Sequence, residues 1–188
     1  PFFAAAGFGE KTGLDFPESV SGIAPQREYA QKNLHRDWLT VDTAYVSIGQ
    51  GIVMLSPLQA ALYTAALANG GILYKPYLVE KIINGQGEVL LQAAPVIRHR
   101  IPASEEHFRL LRSAMESAVQ AEGGSASGLQ ATGLSLAAKT GTAEIGSGVD
   151  RKKDTWVICY GPLESPEYAI ACLIEKGESG GKTAVPIV

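Results

Sequence analysis

The sequence predicts an α+β fold in which helices cover an antiparallel β-sheet. Three apolar runs of strand length lie in the last third of the chain, at residues 134–142, 155–161 and 168–175. Two segments with apolar residues at helical spacing, 56–69 and 104–119, precede these runs. Long apolar strands need cover on both faces, and helices are the available cover. We therefore expect three neighbouring antiparallel strands packed against helices.

Composition limits the classes of protein to which the chain can belong. With 188 residues, 46% hydrophobic and 19% charged, the chain is long enough for one domain with a substantial core. A net charge of −3 gives no case for nucleic-acid binding, and no apolar run approaches the roughly 18 residues that span a bilayer. Two cysteines and three scattered histidines show no metal-ligand spacing. We predict neither a metal site nor a cofactor.

The N-terminal residues 1–51 are rich in glycine and show little periodicity. Turn residues recur every few positions between 7 and 18, which predicts an irregular surface loop that covers the core. The segment Ser47-Ile48-Gly49-Gln50-Gly51 lacks the Lys-Ser/Thr pair of a phosphate-binding loop. Nucleotide binding is therefore not expected here.

The clearest helix is predicted from Ser56 to Asn69. Ser56 is a capping residue, Pro57 suits the first helical position, and Gln59 completes a Ser-x-x-Gln capping box. Two glycines end the helix, and its alanine-rich surface indicates a core element. A small hairpin is expected next, with strands at 78–83 and 89–91.

A second helix is predicted from Ser104 to Val119. Ser104 suits the cap, and the two following glutamates suit the positive end of the helix dipole. His107, in the first turn, is expected to be a solvated surface group. One face of the helix carries its apolar side chains, Phe108, Leu111, Met115 and Ala118. Residues 123–128 are expected to form a flexible connector to the first strand of the sheet.

The two cysteines lie on the last two predicted strands. If these strands form a hairpin centred between Ser165 and Pro166, Cys159 and Cys172 are directly opposed on one face. Opposed Cβ atoms lie about 4.5–5.5 Å apart, whereas a disulfide needs about 3.5–4.5 Å. We therefore expect two reduced, buried thiols.

The candidate functional site is the tetrad Lys139-Thr140-Gly141-Thr142, which an apolar run precedes. Its lysine supplies a positive charge, and its two hydroxyls can hydrogen-bond a carboxylate. Glycine lets a ligand approach the main chain of the strand closely. A second triplet, Lys11-Thr12-Gly13, has neither a preceding apolar strand nor a second threonine. The sequence context therefore favours the tetrad at 139–142.

Several further segments occur together with this tetrad in the same order as in a known family. They are Gly7–Gly9 with Thr12–Pro17, Asp42–Thr43 with Ser47–Gly51, Ser56–Gln59 with Ala68–Gly71, Lys139–Glu144, Trp156 with Gly161–Pro162, and Glu175–Gly177 with Gly180–Gly181. On these segments the chain resembles the C-terminal half of a penicillin-binding protein transpeptidase domain. The pattern Ser-Ile-Gly-Gln-Gly and the Ala-Glu pair after the tetrad resemble the class B, elongation-type enzymes.

The resemblance implies a partial penicillin-binding protein or serine β-lactamase-like fold, with residues 1–188 as the C-terminal portion of a single transpeptidase domain. It implies D,D-transpeptidation of peptidoglycan, with stem peptides ending in D-Ala-D-Ala and β-lactam antibiotics as ligands. Lys139 would assist proton transfer, Thr140, Gly141 and Thr142 would bind substrate, and the Thr142 backbone N–H would serve the oxyanion hole. A membrane glycosyltransferase of the elongation machinery would be a further partner. The site would face the extracytoplasmic side of the bacterial cytoplasmic membrane, with the anchor outside this fragment.

The catalytic serine of the resembled family has no counterpart in this chain. Only Ser179 precedes a lysine, Lys182, by three residues, and we interpret that match as chance because it follows the last strand. The chain is therefore expected to lack the nucleophile and to be inactive alone. Two alternatives stay open: a serine β-lactamase or D,D-carboxypeptidase relative, and a non-catalytic binding or scaffold module.

Overall fold

A computed structural model describes residues 2–146 and 152–188. The α-helices are α1 (Phe2–Ala5), α2 (Arg27–Leu34), α3 (Thr40–Ser47), α4 (Pro57–Ala68) and α5 (Glu105–Gln120). The strands are β1 (Ile72–Tyr74), β2 (Lys81–Ile83), β3 (Val89–Gln92), β4 (Ile97–Arg100), β5 (Ala137–Ile145), β6 (Lys152–Gly161) and β7 (Tyr168–Ile174). Short helical turns cover 127–132 and 180–187. Within the described ranges, no helix combines the length and apolar character needed to cross a membrane.

The principal sheet has the strand order β5-β6-β7, and both pairs of neighbours are antiparallel. This confirms the predicted fold class and the predicted adjacency of the three apolar runs. The first strand begins at Ala137 rather than at residue 134 and continues to Ile145. Leu134 is 57% exposed. Strand β5 is an edge strand of this sheet, which matters for the site.

The sheet separates two hydrophobic clusters, because side chains alternate between its faces. Ala137 and Tyr160 belong to one cluster, which includes residues of α4 and of the N-terminal segment. Ala138, Val157 and Cys159 belong to the other, which includes Val185 near the C-terminus. The expected two-sided cover is therefore present, although the chain end contributes to it as well as helices.

Helix α4 confirms the capping prediction in detail. The Ser56 hydroxyl accepts the N–H of Gln59 at 3.2 Å, and the Gln59 side chain accepts the N–H of Ser56 at 2.9 Å. Asn69 is the C-cap residue, and Ala66 and Leu67 are buried. This helix therefore belongs to the core, as expected.

Helix α5 is confirmed, with Ser104 as its N-cap, but its buried face differs from the prediction. Phe108, Met115 and Val119 are buried, whereas Leu111 is 39% exposed. In the connector predicted at 123–128, Ala126 is fully buried and its N–H donates to the carbonyl of Ala118, whereas Gly123, Ser125, Ser127 and Gly128 are exposed. His107 is exposed, as predicted.

The prediction that residues 1–51 are irregular was wrong in part. The stretch 7–18 has no helix or strand, but α1, α2 and α3 lie on either side of it. Helix α3 begins after Leu39, whose N–H donates to the Asp42 carboxylate at 2.8 Å. Arg36 holds the same carboxylate with two bonds of 2.6 and 2.8 Å. A charge pair thus stabilises a helix that lacks a conventional cap.

Two further two-stranded antiparallel sheets accompany the principal sheet. Strands β2 and β3 form the predicted hairpin, but the first strand begins at Lys81 because the N–H groups of Leu78 and Val79 donate to the Asp15 carboxylate. Strands β1 and β4 form a second antiparallel pair that the sequence analysis did not predict.

The register of β6 and β7 corrects the cysteine prediction. Cys159 lies opposite Ile170, and Cys172 lies opposite Val157. The two cysteines are diagonal rather than directly opposed, although both face the same hydrophobic cluster. Both are free, as predicted; Cys159 is buried and Cys172 is half-buried.

Candidate active site

Strand β5 carries the tetrad 139–142 along an edge of the principal sheet. The carbonyl of Thr142 accepts a hydrogen bond from the Gln50 side chain at 3.1 Å, and the carbonyl of Thr140 accepts one from the Lys139 amine. Ser135 lies an odd number of residues before Thr140 and Thr142, so in an extended chain its main-chain groups point to the opposite side. The Ser135 carbonyl accepts the N–H of Leu163, which follows β6. The main-chain groups of Thr140 and Thr142 therefore point away from β6.

In an antiparallel strand, the N–H and C=O of one residue point to the same side. The Thr142 N–H therefore points to the outer edge of β5, together with its carbonyl. An unpaired N–H at a strand edge can donate a hydrogen bond to a ligand oxygen and stabilise the negative charge that develops on it. This is the geometry that an oxyanion-binding donor requires.

The side chains of Thr140 and Thr142 share one face of the strand, where each has a hydrogen-bond partner. The Thr140 hydroxyl donates to the Ser125 hydroxyl at 2.8 Å. The Thr142 hydroxyl accepts the N–H of Gly180 at 3.4 Å, so its own hydrogen stays available to a ligand. The structure thus brings a third hydroxyl, that of Ser125, next to the two predicted ones.

Gly180 fits against this face because it has no side chain. A Cβ atom there would lie 2.6 Å from the carbonyl oxygen of Trp156, 2.8 Å from that of Gly141 and 2.9 Å from the Thr140 Cβ. Any larger residue would push the C-terminal segment away from β5. Gly180 therefore permits the close approach that lets its N–H reach Thr142.

Lys139 projects to the opposite face of β5 from the two threonines, since side chains alternate along a strand. The side chain is exposed, and its amine contacts the carbonyl of the next residue. The structure thus places Lys139, Thr140, Gly141 and Thr142 in one strand, with the lysine on one face and both hydroxyls on the other.

An open cleft of about 470 Å³ lies beyond Thr142 at the end of the strand. Its lining is Tyr45, Ile48, Gln50, Thr142, Glu144, Lys153, Glu178 and Ser179. The cleft therefore combines an apolar wall from the end of α3 with charged groups of both signs from the sheet and the C-terminal segment.

The pair Ser179 and Lys182 does not have the arrangement of an activated nucleophile. The Ser179 hydroxyl accepts the main-chain N–H of Lys182 at 3.3 Å, while the Lys182 amine pairs with Glu178. The hydrogen bond that the Lys182 amine donates to the Glu178 carboxylate raises the pKa of Lys182, which keeps the amine protonated. A protonated amine cannot serve as a base for the serine, which agrees with the interpretation of this match as chance.

The second triplet, Lys11-Thr12-Gly13, stabilises a loop instead. The N–H groups of Thr12 and Gly13 donate to the Glu18 carboxylate at 2.8 Å each, and that of Leu14 donates at 3.2 Å. Burial alone would raise the pKa of Glu18, but these hydrogen bonds outweigh it and lower the pKa. This loop therefore closes around a carboxylate of its own chain.

Sequence reasoning gave no role to three residues that contact the tetrad: Gln50, Ser125 and Gly180. Gln50 and Gly180 lie in segments that carry the family resemblance, and only this resemblance indicated that they could be functional. Ser125 lay in a stretch interpreted as a connector, and nothing in its local sequence indicated contact with β5.

Residues 2–188 match the family profile of the penicillin binding protein transpeptidase domain. The chain belongs to this family. The peptidoglycan D,D-transpeptidase MrdA of Acinetobacter baumannii is 30% identical over 190 residues, which cover 95% of this chain and 28% of that protein. A solved structure of Pseudomonas aeruginosa PBP2 superposes with a TM-score of 0.82 at 28% identity, over 98% of this chain and 40% of that one.

Penicillin-binding protein A of Mycobacterium tuberculosis, solved as a ceftriaxone acyl-enzyme complex, has a TM-score of 0.75 at 29% identity. The match covers 99% of this chain and 40% of that one. The chain thus spans well under half the length of each of these three relatives. The comparisons show a member of the transpeptidase-domain family that is similar to PBP2 over nearly all of its length.

Proposed function

We propose that this chain forms one wall of the active site of a peptidoglycan D,D-transpeptidase. The observation that carries the proposal is the edge position of Lys139-Thr140-Gly141-Thr142, with the main-chain groups of Thr142 directed outward. Relatives named as peptidoglycan D,D-transpeptidases match 95% of the chain, which supports the same conclusion.

In the proposed reaction, a serine oxygen attacks the carbonyl carbon of the penultimate D-Ala of a stem peptide. The bond to the terminal D-Ala breaks, that residue leaves with the serine proton on its amine, and an ester links the peptide to the enzyme. The amine of a neighbouring stem peptide then attacks the ester, loses a proton and restores the serine. β-Lactams acylate the same serine, in line with the acyl-enzyme solved for a similar protein.

Each predicted residue takes a role that suits its place in the strand. The Thr142 N–H stabilises the oxyanion, and losing such a donor typically costs about 10²–10³-fold in rate. The hydroxyls of Thr140 and Thr142 bind the substrate carboxylate, and Gly141 permits close approach of the ligand. Lys139 provides positive charge and assists proton transfer at the serine. No serine of this chain is assigned as the nucleophile.

The proposal extends to the setting of the complete protein. In this proposal residues 1–188 correspond to the C-terminal portion of one transpeptidase domain, and in the resembled family the Ser-x-x-Lys and Ser-x-Asn segments precede that portion. The substrate places the site on the extracytoplasmic side of the cytoplasmic membrane. A membrane glycosyltransferase of the elongation machinery stays a prediction of the resemblance.

Labelling with a fluorescent penicillin tests the proposal. The complete protein should give a band that survives denaturation, and Lys139→Ala should reduce the labelling rate at least tenfold while the fold is retained. Lys11→Ala is the matched control, because it alters the lysine of the other Lys-Thr-Gly triplet. Equal labelling of the wild-type and Lys139→Ala proteins would refute the assigned role.

The 188-residue chain alone should remain unlabelled, because Ser179 and Lys182, its single Ser-x-x-Lys match in sequence, lack the arrangement of an activated nucleophile. Labelling of this chain that disappears in Ser179→Ala would show that the Ser179–Lys182 pair had been misjudged. A label on the complete protein that is released within seconds would favour a β-lactamase over a transpeptidase.

A further inference from the structure

We infer that Gln50 is a positioning residue for Thr142 in the acyl-transfer step. Its side-chain amide donates to the Thr142 carbonyl at 3.1 Å, across 92 residues of sequence. Gln50 is half-buried and lines the cleft beside β5. The inference rests on the proposed function, because it concerns the strand that would hold the acyl oxygen.

The turn after α3 fixes the position of Gln50. The N–H groups of Ile48 and Gln50 donate to the carbonyl of Tyr45, at 3.1 and 2.9 Å. Gly49 and Gly51 have φ angles of 73° and 79°, in the left-handed region that other residues rarely adopt. Glycines on both sides of Gln50 therefore make a tight turn that presents its side chain to the edge of the sheet. This geometry accounts for the Gly-Gln-Gly pattern.

The outer edge of β5 has no neighbouring strand within the described residues. An edge strand lacks the second row of hydrogen bonds that would hold its outward groups in place. Gln50 supplies one such bond to the Thr142 carbonyl, and Gly180 supplies another to the Thr142 hydroxyl. Thr142 is thereby held from two directions, and its outward N–H keeps one orientation.

Orientation matters because a donor stabilises an oxyanion best when it needs no rearrangement during the reaction. Loss of the Gln50 bond frees the peptide group between Thr142 and Ala143 to rotate. The resulting change of backbone angles at Thr142 displaces its N–H, which weakens this donor in the transition state more than in the bound ground state. The effect should therefore appear in the acylation rate constant rather than in the initial affinity for the β-lactam.

Stopped-flow acylation of the complete protein by a chromogenic cephalosporin tests the inference. Gln50→Met keeps the side-chain length but removes the amide donor. We expect the first-order acylation rate constant to fall about 3–10-fold, which is the rate change that corresponds to the net free energy of one hydrogen bond. The dissociation constant of the noncovalent complex should stay within about twofold. Gln50→Glu should lose more, because a carboxylate oxygen would face the carbonyl oxygen.

Gln130→Met is the matched control. Gln130 also donates its side-chain amide to a main-chain carbonyl, that of Val119 at 2.6 Å, but it makes no bond to β5. This variant should lose stability and keep both acylation parameters. A Gln50→Met protein that acylates at the wild-type rate, or loses only affinity, overturns the inference. A wild-type protein that is not acylated refutes the proposed function, and the inference falls with it.

Discussion

Gln59 is the residue whose replacement should most disturb the attachment of the N-terminal segment to the core. Gln59 is only 3% exposed. Its side-chain amide nitrogen lies 3.2, 2.9 and 2.8 Å from the carbonyl oxygens of Gly7, Glu10 and Ser21, respectively. Its carbonyl oxygen accepts the N–H of Ser56 in the capping box. One side chain thus connects α4 with two separate turns of the N-terminal segment. Gln59→Met keeps the length of the side chain but removes these bonds.

The cost follows from the groups left without partners. A buried acceptor that loses its donor costs about 1–3 kcal/mol, and the Gly7 contact is fully buried whereas the other two are partly buried. With the lower value for the partly buried carbonyls, and a smaller term for the capping box, we expect a loss of about 3–5 kcal/mol. This is a large share of the 5–15 kcal/mol typical of a domain.

Urea unfolding of the 188-residue chain, followed by tryptophan fluorescence and circular dichroism, measures the loss. With a slope of about 2 kcal/mol/M, the midpoint should fall by about 1.5–2.5 M. Hydrogen exchange should show the earliest opening at residues 7–22, because their carbonyls lose the shared donor.

Gln120→Met is the control, because it makes the same chemical change at an exposed glutamine for which the structure shows no side-chain hydrogen bond. A surface change of this kind should alter the free energy of unfolding by less than about 0.5 kcal/mol. If Gln59→Met also stays within that range, the hydrogen bonds of Gln59 do not hold the N-terminal segment and the reasoning is wrong.

Two further predictions concern titratable groups. The hydrogen bonds from Arg36 hold the pKa of Asp42 at about 2, below its usual value of 3.8, so the stabilisation is full above about pH 4.5 and is lost as the pH falls towards 2. The difference in unfolding free energy between wild type and Asp42→Asn should shrink over that interval, and a difference independent of pH would contradict this. Burial raises the pKa of Cys159 to about 11, so iodoacetamide at pH 8 should modify Cys172 first in the native protein. Denatured, unreduced protein should show two free thiols, and equal native reaction rates would contradict the assigned burial.

The helices predicted correctly are those whose signals are local. Ser56 and Ser104 accept N–H groups in the first turns of α4 and α5, and both roles were visible in the sequence. Helix α3 was missed because its first turn depends on the Asp42 carboxylate, which accepts hydrogen bonds from the Leu39 main-chain N–H and the Arg36 side chain. No conventional capping residue precedes this helix. A pattern of apolar residues does not reveal such a charge pair.

The cysteine register shows how a small error in a turn affects a strand pair. The centre of the β6–β7 hairpin lies between Glu164 and Ser165, one residue before the predicted position, since Gly161 pairs with Tyr168. A shift of one residue at the centre moves each partner by two residues, and a move of two keeps the face. The shared face of Cys159 and Cys172 was therefore predicted correctly, whereas their direct opposition was not.

In the candidate site, too, local sequence predicted some residues, whereas contacts between distant segments could not be predicted. The tetrad 139–142 could be located from sequence, because an apolar strand must precede it and small or polar residues must follow. The partners of the tetrad could not, since Gln50 reaches Thr142 across 92 residues and Gly180 reaches it across 38. The glycines around Gln50 indicated only that the chain turns there. The structure shows that this turn lies beside the edge of β5, where the Gln50 side chain contacts Thr142. The positioning role inferred for Gln50 follows from that contact rather than from the sequence motif.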